Sequence, residues 1–236
     1  MELLNECSKK LGITLSAHQL ALFERYFTQL HDWNRKINLT SVTGYKEVQM
    51  THFLDSLSVL TTGKIRPGFR AVDVGSGAGL PGIPLKIAIP DISLTLIEAT
   101  GKKVSFLQHL INDLGLKEAV AITGRAEDLA HSADHREQYD VVVSRAVATL
   151  PALNELCLPF CKIGGTFVAL KKGERLEEEL ASSANSLRLL GGRFAKIEYV
   201  EVPGYLSRRS LVIIEKDSQT PAIYPRRSGM PQKKPL

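Results

Sequence analysis

Phe69-Arg70-Ala71-Val72-Asp73-Val74-Gly75-Ser76-Gly77-Ala78-Gly79-Leu80-Pro81-Gly82 is the stretch that decides the fold. The apolar run from Phe69 to Val74 carries one acid, Asp73, near its end. It then breaks into Gly75, Gly77, Gly79 and Gly82, and a regular apolar pattern resumes at Ile83. This order predicts a strand, a tight turn and a helix, the layout that lets a nucleotide-like ligand lie against bare backbone. Three ligands compete for it. A Walker phosphate loop fails, because Ile83-Pro84 stands where Lys-Ser/Thr is required. The dinucleotide fingerprint is met in letters by Gly77 to Gly82, but its first glycine falls two residues late after the strand. Asp73 would also face a doubly negative pyrophosphate. S-adenosylmethionine (SAM) has no phosphate and carries a sulfonium and an ammonium, so an acid at the strand end suits it. SAM therefore leads, NAD(P) follows and ATP or GTP comes last. A turn with no ligand is disfavoured, since four glycines in eight residues cost backbone entropy that a structural turn does not need.

Outward from that turn, strand-like and helix-like runs alternate. The strands read 69–74, 92–98, 119–123, 139–144, 165–170, 194–202 and 210–215, and the helices 83–89, 102–114, 149–161 and 174–190. Alternation of this kind implies a parallel sheet covered on both faces. The last two strands have only Pro203-Gly204 between them and should pair antiparallel at the end of the sheet. The expected fold is α/β, a seven-stranded doubly wound sheet with an N-terminal helical extension. In that extension Ser16 and Gln19 form a capping-box pattern. Leu20, Phe23, Phe27, Leu30, Trp33 and Ile37 follow at helical spacing. A second helix fits Lys46 to Leu60. The division is 1–62 helical, 63–217 ligand-binding and 218–236 a basic tail.

Composition narrows the class. Hydrophobic content of 44% and charged content of 23% exclude a disordered chain. No apolar run reaches the roughly 20 residues that cross a bilayer. The start, Met1 to Glu6, lacks the basic and apolar regions of a secretory signal, so a cytoplasmic protein is expected. Cys7, Cys157 and Cys161 are too few for a disulfide framework, and with no matching Cys/His pair they read as core thiols rather than metal ligands. The net charge is +5, and the last twelve residues hold four cations and no acid. Pro225, Gly229, Pro231 and Pro235 should keep this tail from packing as a helix. It reads either as a phosphate-contacting extension or as a frayed, solubilising end, and its removal after Tyr224 should leave SAM affinity and thermal stability nearly unchanged.

Ligands of open α/β sheets bind beyond the carboxyl ends of the strands. The first end offers Asp73 and the glycines. The second offers Glu98, nineteen residues after Gly79, at the spacing of an acid that accepts from ribose hydroxyls; the alternative is an acid favoured by a helix start. The third, Gly124-Arg125-Ala126-Glu127-Asp128, either edges an adenine or caps a helix. The fourth, Ser144-Arg145-Ala146, puts an arginine at the mouth of the site. There it can position phosphate, pair with a guanine edge or serve a structural ion pair. The Asn/Asp-Pro-Pro-aromatic run of adenine amino methylases is missing. So is the sheet-edge cysteine of cytosine C5 methylases, since Cys157 and Cys161 fall inside a predicted helix.

With these residues laid out, the chain closely resembles the bacterial 16S ribosomal RNA methyltransferase G family, once called glucose-inhibited division protein B. The resemblance rests on Trp33 to Thr40, His52-Phe53-Leu54-Asp55-Ser56, Asp73 to Pro84 with its Gly-Leu-Pro-Gly-Ile-Pro ending, and Ser144-Arg145-Ala146. It closes on Tyr224-Pro225-Arg226-Arg227 and Lys233-Lys234-Pro235-Leu236. It implies a class I SAM-dependent methyltransferase acting on N7 of guanine 527, in the 530 loop of small-subunit rRNA. It also implies SAM contacts at Gly75, Leu80, Ala126, Glu127 and Arg145. Asp73, Gly77, Gly79 and Glu98 join them from the motif reading. Asn38, Arg145, Lys171 and Arg209 are the RNA-facing candidates on the body, and Arg226, Arg227, Lys233 and Lys234 those on the tail. His52 and Asp55 read as an architectural pair or an RNA contact. The expected partner is 16S rRNA or the small ribosomal subunit, with no metal, no membrane and a monomeric protein. Two other readings stand beside this one: an RNA-binding assembly factor with a vestigial SAM fold, and an NAD(P)-dependent oxidoreductase.

Overall fold

The computed structural model describes residues 1–145, 148–172, 176–201 and 209–236. Helices α1 (Glu2–Lys10) and α2 (Ala17–Asn34) open the chain. The capping box at α2 is formed: Ser16 Oγ accepts the Gln19 amide at 3.2 Å and Gln19 Oε1 accepts the Ser16 amide at 2.8 Å. A continuous helical stretch follows. It comprises α3 (Tyr45–Val48), a π-helical segment (Gln49–Leu54), α4 (Asp55–Leu57) and a 3-10 segment (Ser58–Thr62). Helical periodicity predicts the stretch as one regular helix, but does not reveal the π turn.

The sheet then alternates with helices: β1 (Arg70–Val74), α5 (Gly82–Ala88), β2 (Ser93–Glu98), α6 (Gly101–Leu114), β3 (Ala119–Thr123), α7 (Ala126–Leu129) and β4 (Tyr139–Arg145). It continues through α8 (Leu150–Cys157), β5 (Cys161–Lys172), α9 (Leu176–Ser182), α10 (Ala184–Leu190), β6 (Gly192–Val200) and β7 (Arg209–Lys216). The strand order is β3-β2-β1-β4-β5-β7-β6. The first five strands are parallel, and β7 runs antiparallel to both β5 and β6. The expected antiparallel pairing of the last two strands is therefore present, with β7 inserted inside β6. Their Pro203-Gly204 turn lies outside the described residues, as do Ala146 and Val147.

Two predicted helices change. The run 149–161 stops at Cys157, where Pro159 removes the amide that would continue it, and Cys161 already opens β5. The run 174–190 divides at Ser183 into α9 and α10. Both faces of the sheet are covered, as alternating partners show. Ala71, Val141, Val143 and Val168 pack in one core with α1, α2, α5 and α6. Val72, Val142, Phe167 and Ala169 pack in the other with α8 and α10. The N-terminal helices share the first core rather than standing apart: Phe53 is fully buried with its ring 5.0 Å from both Phe23 and Tyr26.

The tail corrects the expectation most. It docks on the second core through Tyr224 and Leu236, and it forms a short helix, α11 (Met230–Lys233), with Pro231 tolerated in its first turn. Arg226, expected as a free tail cation, is half-buried and already paired. Its guanidinium forks onto Glu155, with Nη2–Oε2 at 2.6 Å, because a fully buried carboxylate on α8 requires a counter-charge. Arg227, Lys233 and Lys234 remain exposed.

Candidate active site

The glycine turn divides its labour. Gly75 and Gly77 have φ of +77° and +57°, which L side chains rarely adopt, and they face a cavity of about 330 Å³ at the carboxyl ends of β1 to β4. Among the described residues beyond its chain neighbours, a Cβ added at Gly77 would meet nothing nearer than the Gly75 carbonyl at 4.0 Å. Gly79 and Gly82 are packing positions instead. A Cβ at Gly79 would press on Ile83, Leu107 and Tyr26, and one at Gly82 on Leu96 and Asp73.

Of the sequence-predicted cofactor residues, Gly75, Gly77, Glu98, Ala126, Glu127 and Arg145 line the cavity together. Asp73, Gly79 and Leu80 do not; they lie buried beneath the turn. Glu98 ties the turn to β2: one carboxylate oxygen accepts the Gly77 amide at 3.0 Å and the other the Thr100 amide at 2.8 Å. Each oxygen retains a lone pair for a ligand. Arg125, from the third strand end, lines it too, as do Lys103, Gly229 and Gln232, which sequence patterns do not single out for this site.

Asp73 is fully buried, with Oδ2 accepting the Gly82 amide at 2.8 Å and Oδ1 without a hydrogen-bond partner among the described residues. Burial pushes its carboxyl up to about 7, against the lowering effects of the Gly82 amide and Arg145. An acid raised on folding stabilises the fold fully below its unfolded value of about 4, and that contribution is lost as pH rises through the folded value. Wild-type protein should therefore lose stability between about pH 4 and pH 7 relative to Asp73→Asn, whose profile should be flatter. Urea unfolding of both proteins at pH 5 and pH 8 checks this; a pH-independent difference refutes it.

A larger cleft of about 750 Å³ adjoins the cavity, and Arg145 lines both. Arg145 Nη1 donates to the Thr51 carbonyl and to Asp55 Oδ2, each at 3.1 Å. Thr51 lies in the π-helical segment, so the irregular turn is what presents this carbonyl to Arg145. Asp55 also holds Arg209, Nε–Oδ1 2.8 Å. Lys171 meets Glu179 at 2.7 Å and the Ala148 carbonyl at 2.9 Å. His52 lines the same cleft, its Nε2 at 2.8 Å from the Thr40 hydroxyl. Arg145, Lys171 and Arg209 are thus brought together, each already oriented by a carboxylate. Asn38 is not among them: it sits exposed on the loop after α2, which Asn34 organises by accepting the Leu39 and Thr40 amides.

A family profile for rRNA small subunit methyltransferase G, GidB, matches residues 19–210. The chain belongs to that family. A ribosomal RNA small subunit methyltransferase G from Dehalococcoides mccartyi is 50% identical over 226 residues, covering 96% of this chain and 95% of its own length. One from Pelotomaculum thermopropionicum is 45% identical over 235 residues, covering 100% and 98%. Solved structures agree on the fold. Precorrin-6y C5,15-methyltransferase from Geobacter metallireducens superposes with a TM-score of 0.54 at 12% identity, covering 78% of this chain and 96% of its own. M. jannaschii TYW2 in complex with AdoMet gives 0.51 at 17% identity, covering 69% and 76%.

The fold of this methyltransferase is class I, and the TYW2 neighbour holds AdoMet, that is S-adenosylmethionine. The residues present fit that cofactor. Gly75 and Gly77 bring backbone to the cavity wall, Gly77 with room beside it, and Glu98 supplies acceptors next to them. Among the described residues no group of His, Cys, Asp and Glu is arranged to hold a metal, and no helix is long and apolar enough to cross a membrane. The three cysteines are buried thiols; burial raises Cys157 and pushes Cys161 up to about 12, so neither is a thiolate near neutral pH. Gly77→Asp fills the open space and adds a second carboxylate next to Glu98. It should weaken S-adenosylhomocysteine binding by more than about tenfold while rRNA binding stays within a few-fold. Calorimetry and filter binding separate the two.

Proposed function

We propose that this protein methylates N7 of one guanine in 16S ribosomal RNA, position 527 of the 530 loop, in the cytoplasm and as a monomer. The observation that carries the reading is Arg145, which lines both the cofactor cavity and the adjoining cleft with its cations. The relatives' shared name supports an rRNA substrate, and the resemblance of the motifs supports the site and atom. SAM supplies an electrophilic methyl group on a sulfonium. Gly75, Gly77, Glu98, Ala126 and Glu127 hold the cofactor end, with Asp73 supporting the turn through Gly82. Arg145 acts as the catalytic residue, orienting the guanine or its phosphate where the two cavities meet, with Arg209 and Lys171 behind it. Guanine N7 has an in-plane lone pair and no proton to lose, so the reaction asks for alignment rather than a general base. Good orientation alone is worth about 7–11 kcal/mol of barrier. Digestion and mass spectrometry of 16S rRNA from cells with and without the gene tests the reading. Loss of one 7-methylguanosine at this position is expected, and an unchanged modification map overturns it.

Arg227, Lys233 and Lys234 are the tail cations left exposed, and we assign them phosphate contacts that add affinity without choosing a base. Replacing all three by alanine should reduce the slope of log affinity against log salt by at most about 2.1, at roughly 0.7 per phosphate on a single strand. Salt titrations of RNA binding measure it, and an unchanged slope removes the tail from the RNA surface.

A further inference from the structure

The end of the chain builds one wall of the cofactor cavity. Gly229 and Gln232 line it beside Gly77 and Glu127, although they lie about a hundred residues beyond β3 and α7. The segment that carries them is clamped at several points. Arg226 forks onto the fully buried Glu155 of α8. The Gly229 amide donates to Glu127 Oε1 at 2.8 Å. The Arg136 guanidinium donates to the carbonyls of Thr220, Pro221 and Tyr224 at 2.7, 3.1 and 2.9 Å, and His131 Nε2 meets the Pro225 carbonyl at 2.8 Å. Glu127 therefore belongs to two structures at once: the end of the third strand, which by one of its two sequence readings edges an adenine, and the docked tail.

We infer that Gln232 reads the adenine of the cofactor, which makes the tail a specificity element as well as an RNA contact. The argument is one of chemistry. The amino group of adenine donates, and the ring nitrogens beside it accept. A carboxamide offers one acceptor and one donor side by side and matches that edge. Among the described residues lining the cavity, Gln232 has the one neutral polar side chain. Lys103, Arg125 and Arg145 only donate, and Glu98 and Glu127 as carboxylates only accept, so a ring nitrogen facing either acid would be repelled. The clamp fixes where α11 stands and so where this amide is presented. Gln232 is exposed, so its replacement tests a ligand contact and not the core.

The inference rests on the assignment of this cavity to SAM, and the experiment separates the two. The full chain and its Gln232→Ala variant are titrated by calorimetry with S-adenosylhomocysteine and with the analogue whose purine lacks the amino group. Wild-type protein should prefer S-adenosylhomocysteine. The variant should bind it about tenfold more weakly, the scale of one net hydrogen bond, and lose clearly less for the analogue, which keeps only the ring-nitrogen half of the matched edge. Unchanged affinity for S-adenosylhomocysteine in the variant, or equal loss for both ligands, overturns the role of Gln232 and leaves the cofactor site intact. Wild-type protein that binds neither ligand overturns the cofactor assignment itself and the role of Gln232 with it.

Discussion

Arg145→Ala should lower kcat/KM for rRNA methylation by about a hundredfold or more. Truncating one member of a hydrogen-bonded charge pair in a binding site costs roughly 2–5 kcal/mol, and each 1.4 kcal/mol is a factor of ten. The fold should survive, because Asp55 keeps its second cation, Arg209, at 2.8 Å. The thermal transition of the variant supplies that control. Arg145→Lys should rescue poorly, since a lysine cannot hold the Thr51 carbonyl and Asp55 while presenting a planar, forked edge to substrate. The competing view of Arg145 as a purely structural ion pair is a serious one, because the ion pair with Asp55 is present. The two views part on turnover. A purely structural arginine predicts an Ala variant with reduced stability and wild-type kcat, and that result would end its catalytic assignment.

Local pattern was enough for the parts of the molecule whose physics is local. The switch from Val74 to glycines, the alternation of apolar strands with helices and the Ser16–Gln19 cap each express themselves within a few residues, and each appears in the structure. That Glu98, Ala126, Glu127 and Arg145 share one cavity follows for a related reason: in a parallel sheet, strand ends converge on one edge, so counting strands finds the residues that meet there. What sequence order hides is pairing across distance. Asp55 binds Arg145 and Arg209, 90 and 154 positions away, and nothing near Asp55 announces either partner. The π turn over Gln49–Leu54 keeps the apolar periodicity of an ordinary helix. Asp73 carries the right charge for a cationic ligand, yet the close approach of Gly82 draws its carboxylate under the turn and out of the cavity.

Truncation after Tyr224 should lower the thermal midpoint substantially, against the expectation that a basic, proline-rich end is dispensable. The decisive residue is Glu155, fully buried on α8, whose two carboxylate oxygens are held by the amide and guanidinium of Arg226. Removing one partner of a buried ion pair costs about 3–5 kcal/mol, because the other charge is left without compensation. For a chain of this length each kcal/mol shifts the midpoint by about 2–4 °C, so a fall of about 6–20 °C is expected. The Gly229–Glu127 hydrogen bond and the packing of Pro231 and Leu236 are lost as well. Glu155→Gln in the truncated chain isolates the cause. It removes the buried charge but not the packing loss, and should recover part of the fall. Differential scanning calorimetry of wild type, truncation and truncation with Glu155→Gln reads all three. A truncated chain that melts with wild type would mean that the Arg226–Glu155 contact contributes nothing to stability. A truncation that falls by the same amount with and without the Glu155→Gln substitution would assign the loss to packing rather than to charge.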